Sequence, residues 1–185
     1  MKDKLINTIA IATAGGFFYL AVRYVLHLSG ADLSTISDWL FRLTLIVFVL
    51  WSIFGVKVRQ NGWITFKEAF GTGMLTTFFL TIYLSFGSWL FCTAIAPNYN
   101  IEAEKIYRAK RFEQMLGDYM HDNEIEKPTE EDYSLINNGL DKHMENTKFF
   151  FTAGGQAAVS GFYAPLWGLA ISFTVSFMSR KVKED

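Results

Sequence analysis

Four stretches of the chain are apolar over lengths that a soluble fold rarely uses: residues 5–28, 39–56, 70–96 and 149–178. A helix that crosses roughly 30 Å of hydrocarbon needs about 20 predominantly apolar residues. The last two stretches contain no Asp, Glu, Lys or Arg at all. A helix on the surface of a soluble protein would show a polar face every few residues. The pattern therefore predicts four transmembrane helices, and at 185 residues one membrane domain over residues 1–185. The basic start of the first stretch, Lys2 and Lys4, has the look of a signal peptide, but the apolar run continues through "FFYLAV", so an uncleaved span is expected.

Orientation follows from Lys and Arg in the short flanks. Lys2, Lys4, Lys57, Arg59, Lys67, Arg180, Lys181 and Lys183 fall on one side, and the loop "SGADLSTISD" on the other side has none. Both termini are thus expected in the cytoplasm and residues 97–148 outside. Within that outer segment, Ala109, Phe112, Leu116 and Tyr119 form one helical stripe. Thr129 with Asp132 opens a second helix, with Tyr133, Ile136, Leu140 and either His143 or Met144 on its apolar side. The fold class is all-α: a four-transmembrane-helix bundle with an extracytoplasmic helical hairpin between spans three and four. Pro97 is the hinge, because the residue before a proline resists helical geometry. Asn98 and Asn100 are expected to cap the helix that restarts there, and Tyr99 to anchor at the headgroups.

Apolar helices in lipid associate through close packing and hydrogen bonds, so small residues mark their contacts. Span three carries Gly73, Thr77, Thr81 and Ser85. Span four carries Gly154, Ala158, Gly161, Pro165, Gly168, Ser172 and Ser176, and span one carries Asn7, Ala10, Ala14 and Ala21. These are packing candidates. Pro165 is expected to kink span four, and Gln156 to bond a neighbouring helix.

Ionisable groups within a span point to function. Arg23 and His27 lie four apart near the end of span one, and Asp38 and Arg42 four apart at the start of span two. If the two spans are antiparallel neighbours, all four can converge as an anion or lipid-headgroup site, since guanidinium matches phosphate geometry. The competing reading has both arginines snorkelling to the interface, with Asp38 neutralising one.

Other chemistry finds little footing. Net charge is −1, so no basic field recruits nucleic acid. The single cysteine, Cys92, forms no internal disulfide. "HDNE" at residues 121–124 carries metal-ligand types without an established metal-site spacing. No nucleophile and base, phosphate loop or metal set is visible, so neither a catalytic residue nor a cofactor nor a metal is expected.

The order of parts resembles a bacterial membrane-protein family known as domain of unknown function 4199. The resemblance rests on "GVKVRQNGWITFKEAFGTGMLTT" between spans two and three, on "IAPNY" at the end of span three, and on a final span ending in "SRKVKED". It implies a multi-pass protein of the bacterial inner membrane and supplies no catalytic residues. In "TFKEAF", Thr65 and Glu68 stand as a capping box at the mouth of span three, and Trp63 and Phe66 as interfacial aromatics.

Three functions are compatible with these residues. One is a non-enzymatic accessory or scaffold subunit of the cell envelope, meeting a partner membrane protein or its own copies through the outer hairpin and the small-residue stripes. The second is a lipid-handling protein with Arg23 and Arg42 on an anionic, polyprenyl-phosphate-like headgroup in the outer leaflet. The third is a small oligomeric transporter, for which inverted repeats and midplane charges are missing.

Overall fold

A computed structural model describes residues 2–30 and 33–179. Arg180, Lys181 and Lys183, which carry part of the orientation reading, lie outside the described residues. The described residues form six α-helices joined by short connections: α1 (Lys2–Leu28), α2 (Leu33–Arg59), α3 (Phe66–Leu90), α4 (Tyr99–Asp122), α5 (Glu130–Thr147) and α6 (Ala153–Ser179). A π-helical turn, Phe91–Ile95, extends α3, and a 3-10 turn, Lys148–Phe151, precedes α6. Four of the helices are long and apolar enough to cross a membrane: Lys4–Leu28, Ile36–Arg59, Phe66–Ile95 and Ala153–Ser179. The second helix begins earlier than its apolar run, with Ser37 and Asp38 already helical.

α3 sits at the centre and touches α1, α2 and α6, with α6 its most extensive partner. That position explains why its sequence carries no charge beyond the first turn. The main core joins Ala12, Tyr19, Leu45, Phe48, Leu80, Leu84 and Ala164 from the four spanning helices. Large side chains such as Phe17, Trp51, Phe78, Phe86 and Phe173 point outward, as expected where the surroundings are lipid.

Small residues set the helix spacing, though not all at the expected places. An added Cβ at Gly73 would meet Ser172 Oγ at 2.6 Å, and one at Gly161 would meet Ser85 Oγ at 3.2 Å. At Gly168 it would run into the Thr77 side chain. Thr81 turns its hydroxyl back onto the Thr77 carbonyl at 2.8 Å. Gly154 and Ala158 are exposed, and Gly155 and Ala164 are buried instead. The Phe149 carbonyl folds over Gly155, so that glycine carries the close approach. In α1, Ala10, Ala14 and Ala21 are exposed, and Thr8, Ala12, Gly15, Gly16, Tyr19 and Arg23 form the buried face. α6 runs on through Pro165.

Both capping boxes form. Thr65 accepts from the Glu68 amide at 3.3 Å, and Glu68 also receives Gln60 at 3.2 Å and faces Lys4 at 3.7 Å. One carboxylate thus joins the ends of α1, α2 and α3. Thr129 accepts from the Asp132 amide at 3.4 Å, and Asp132 accepts from the Thr129 amide at 2.7 Å and from the Tyr119 hydroxyl at 2.8 Å. α4 and α5 lie antiparallel through Arg108 with Asp141, Tyr107 with His143, and Phe112 with Tyr133. Ile136, Leu140 and Met144 form the buried side of α5; His143 instead meets the Tyr107 hydroxyl at 2.9 Å.

The hydrogen bonds from Thr129 hold the Asp132 carboxyl below its ordinary value of 3.8 and so favour its charged form. A depressed carboxyl stabilises the fold above its unfolded pKa, and the contribution is lost as pH falls through the folded one. The protection factor of the Asp132 amide, its exchange rate relative to an unstructured amide at the same pH, is therefore expected to fall only below about pH 4, whereas Thr129→Ala should lower it at neutral pH by loss of the cap. Equal protection of that amide in the variant and the parent would refute the cap's contribution.

Candidate site at the α4–α5 end of the bundle

Arg23 follows Thr8, Ala12, Gly15 and Tyr19 along one face of α1, and that face is turned inward. The arginine is only 1% exposed. Its Nη1 donates to the Tyr19 hydroxyl at 3.2 Å and to Ser88 Oγ at 3.4 Å. Nε and Nη2 meet no acceptor at full hydrogen-bond geometry among the described residues, though the Tyr99 hydroxyl and the Cys92 thiol lie close enough to act on the guanidinium. The guanidinium carbon lies 4.3 Å from the Phe91 ring centre and 5.0 Å from that of Tyr99. No ion pair to it is formed among the described residues. Taking an ion out of water costs several kcal/mol. Each aromatic face returns about 0.5–2 kcal/mol, and each hydrogen bond to a charged group about 1.5–3 kcal/mol. These contacts hold the arginine inside but do not neutralise it. Its positive potential remains.

The π-helical turn is what brings two of those rings into place. Ala96 donates to the Phe91 carbonyl at 2.8 Å, five residues back, and Ala96 itself leaves the helical region at φ −135°, ψ 71°. The residue before Pro97 behaves as the sequence requires. Asn98 does not: it takes helical angles, φ −82° and ψ −10°, and its side chain makes no capping bond. A capping side chain normally needs an extended backbone at that position. The Asn100 Oδ1 is buried without a partner. Tyr99 turns inward over Arg23 rather than outward, and burial raises its phenol above the ordinary value.

Tyr19 and Ser88 also line a cavity of about 350 Å³ between α1, α2, α3 and α6. Asp38, Arg42, Gln156 and Ser160 share its wall. Ser88 and Ser160 are 3.2 Å apart. Gln156 donates to the Phe150 carbonyl at 2.9 Å, in the turn before its own helix rather than in a neighbouring one. α6 faces the cavity here through Gln156, Val159 and Ser160, which turns Ala158 away. The Arg42 guanidinium carbon lies over two indoles, 5.6 Å from the Trp39 ring centre and 5.1 Å from that of Trp167.

The four ionisable residues thus divide. Asp38 and Arg42 line the cavity. Arg23 stands one hydroxyl layer behind it, and His27 packs edge-on against Phe91 at 5.6 Å. Tyr19, Ser88 and Ser160 are the site residues that sequence reasoning missed. The i to i+4 step from Tyr19 to Arg23 was the signal for the first of them. An anion accepting from Tyr19 or Ser88 would sit about 6 Å from the guanidinium, two hydrogen-bond lengths away. At an effective dielectric of 20 the attraction there is about 3 kcal/mol.

His121 and Asp122, at the far end of α4, are exposed neighbours 3.5 Å apart. Among the described residues no three His, Cys, Asp or Glu side chains are grouped to hold a metal.

A family model described as a protein of unknown function, DUF4199, matches residues 8–181. No curated protein and no solved structure matches the chain.

Proposed function

We propose that this chain, which belongs to the DUF4199 family, is a lipid-handling protein that holds an anionic headgroup in the cavity at the α4–α5 end of its bundle. The observation that carries the reading is the unpaired, 1% exposed guanidinium of Arg23 behind a cavity that already presents Arg42. Two cations act on that space and one carboxylate, Asp38, opposes them. Hydroxyls from Tyr19, Ser88 and Ser160 supply neutral donors. Binding and orientation, not bond making, are what such a set of side chains does. The basic flanks support a setting for this end of the bundle at the outer leaflet of a bacterial inner membrane, with α4 and α5 as an outer hairpin over the site.

Arg42→Gln is expected to lower retention of anionic lipid about tenfold, the share of one charge-assisted contact, and to leave zwitterionic lipid unchanged. Native mass spectrometry of the detergent-solubilised protein with equimolar phosphatidic acid and phosphatidylcholine measures both. Equal retention of the two lipids by the parent protein would defeat the reading.

A docking role is favoured by a separate observation: Ile101, Ile106 and Leu135, outside the spanning helices, are exposed. A stoichiometric partner in a mild-detergent pull-down, lost when these three are made polar, would support an accessory subunit instead.

A further inference from the structure

A second concavity adjoins the headgroup cavity. It has a volume of about 240 Å³ and is lined by Trp39, Arg42, Leu43, Ile46, Trp167 and Ile171. Arg42 and Trp167 belong to both spaces. α2 and α6 point the same way along the bundle, since both start near the α4–α5 end. Residue number therefore reads as depth on both. The headgroup cavity takes its α2 lining from Ser37 to Arg42, and the groove reaches on to Ile46. On α6 the cavity uses Gln156 to Trp167, and the groove reaches Ile171. The stretch from Trp39 to Ile46 descends about 10 Å. Apart from Arg42 and the tryptophan N–H groups its lining side chains carry no polar atom, and Trp39, Leu43 and Trp167 are well exposed.

We infer that the occupant is an anionic phospholipid whose phosphate sits in the cavity by Arg42 and whose acyl chain lies in the α2–α6 groove. The inference rests on the headgroup reading and adds to it the class of ligand and the path of its chain. Charge complementarity selects the head: two guanidiniums, Arg23 and Arg42, face one carboxylate. The groove selects the rest. A small soluble anion has no use for an apolar groove beside its site, and a neutral lipid has none for the arginines. Arg42 stands at the junction with its guanidinium carbon over both the Trp39 and Trp167 rings, so the two indoles restrain it before the ligand arrives.

Lipid tails are as apolar as leucine, so moving a chain from bilayer to groove yields little free energy. The groove therefore fixes where the chain lies, and the arginines supply the preference. A positional readout is the right test.

The full-length protein in nanodiscs is supplied with phosphatidic acid or phosphatidylcholine carrying the same diazirine in one acyl chain, irradiated and mapped by peptide mass spectrometry. The expected result is adducts on Leu43, Ile46 and Ile171, at least about tenfold more with phosphatidic acid, reduced about tenfold in Arg42→Gln. Ile46→Trp, which fills the groove, should remove those adducts while the preference for retaining phosphatidic acid persists. This variant leaves every polar contact of the site intact and serves if Arg42→Gln fails to fold. Equal groove labelling by both lipids would mean ordinary boundary lipid and overturn the inference. Preferential retention of phosphatidic acid with adducts scattered to positions such as Phe86 would overturn the chain path and leave the headgroup reading standing. Absence of any preference would overturn both. Millimolar inorganic phosphate that displaces phosphatidic acid while groove adducts are lacking would assign the cavity to free phosphate, against the inference.

Discussion

Arg23→Met is expected to weaken anionic-lipid binding about 100-fold, the equivalent of the 3 kcal/mol attraction across one hydroxyl layer, without lowering the stability of the ligand-free protein. The two halves of that result belong together. Methionine keeps the unbranched apolar stem and can still pack against Phe91 and Tyr99. It removes a cation that sits 1% exposed with two nitrogens unsatisfied. Replacing a buried ion by an apolar side chain of similar volume is often neutral or stabilising. If Arg23 were chiefly a structural strut, the variant would lose thermal stability and lipid preference in parallel. Arg23→Lys completes the comparison. It keeps the charge but offers no planar face to the rings, and should retain a preference for anionic lipid at reduced strength. Thermal unfolding with and without phosphatidic acid reads both quantities, since a ligand stabilises the folded form by an amount that rises with the logarithm of its affinity.

Gly168→Leu should destabilise the bundle by about 1–3 kcal/mol or more, the range for overpacking a tight contact. An added Cβ there runs straight into the Thr77 side chain at the α3–α6 contact, and the rest of a leucine has no space to occupy. Gly71→Leu is the matched control, because nothing lies within 4 Å of the site. The lipid-free protein in mild detergent, unfolded by added SDS, gives the comparison. Similar unfolding midpoints for the two variants would show that α3 and α6 can separate to absorb the side chain. The double change Gly168→Leu with Thr77→Gly should recover part of the loss, because the clash is with the threonine side chain and not with backbone.

Much of this arrangement was legible in the residues, and where it was not the reason is physical. Apolar length identified the four spanning helices, since the hydrocarbon layer imposes a minimum that chance composition seldom meets. Thr65 with Glu68 and Thr129 with Asp132 announced two helix starts because a capping box is local chemistry. The inward turn of Arg23 was harder. Snorkelling and burial use the same residue at the same depth, and only the face shared with Thr8, Ala12, Gly15 and Tyr19 separates them. Gly155 was hidden because the Phe149 carbonyl that covers it comes from a change of chain direction. Asn98 misled for a similar reason: its side chain is a good cap, but its backbone is not in the conformation that uses it. The cavity could not be seen in any one helix, because Tyr19, Arg42, Ser88 and Ser160 come from four of them.

The π-helical turn at Phe91–Ile95 also bears on the chain's tolerance of length change. Such a turn holds one residue more than the α-helix it interrupts. A one-residue deletion within it can close into ordinary helix without breaking the backbone bonds of α3. The change would fall downstream, where the path from Phe91 to Tyr99 is one residue shorter, so Tyr99 would be drawn off the Arg23 guanidinium while Phe91, ahead of the deletion, stayed. A single inserted residue, retained or lost, is thus enough to couple the α4–α5 segment to the buried arginine or to set it free.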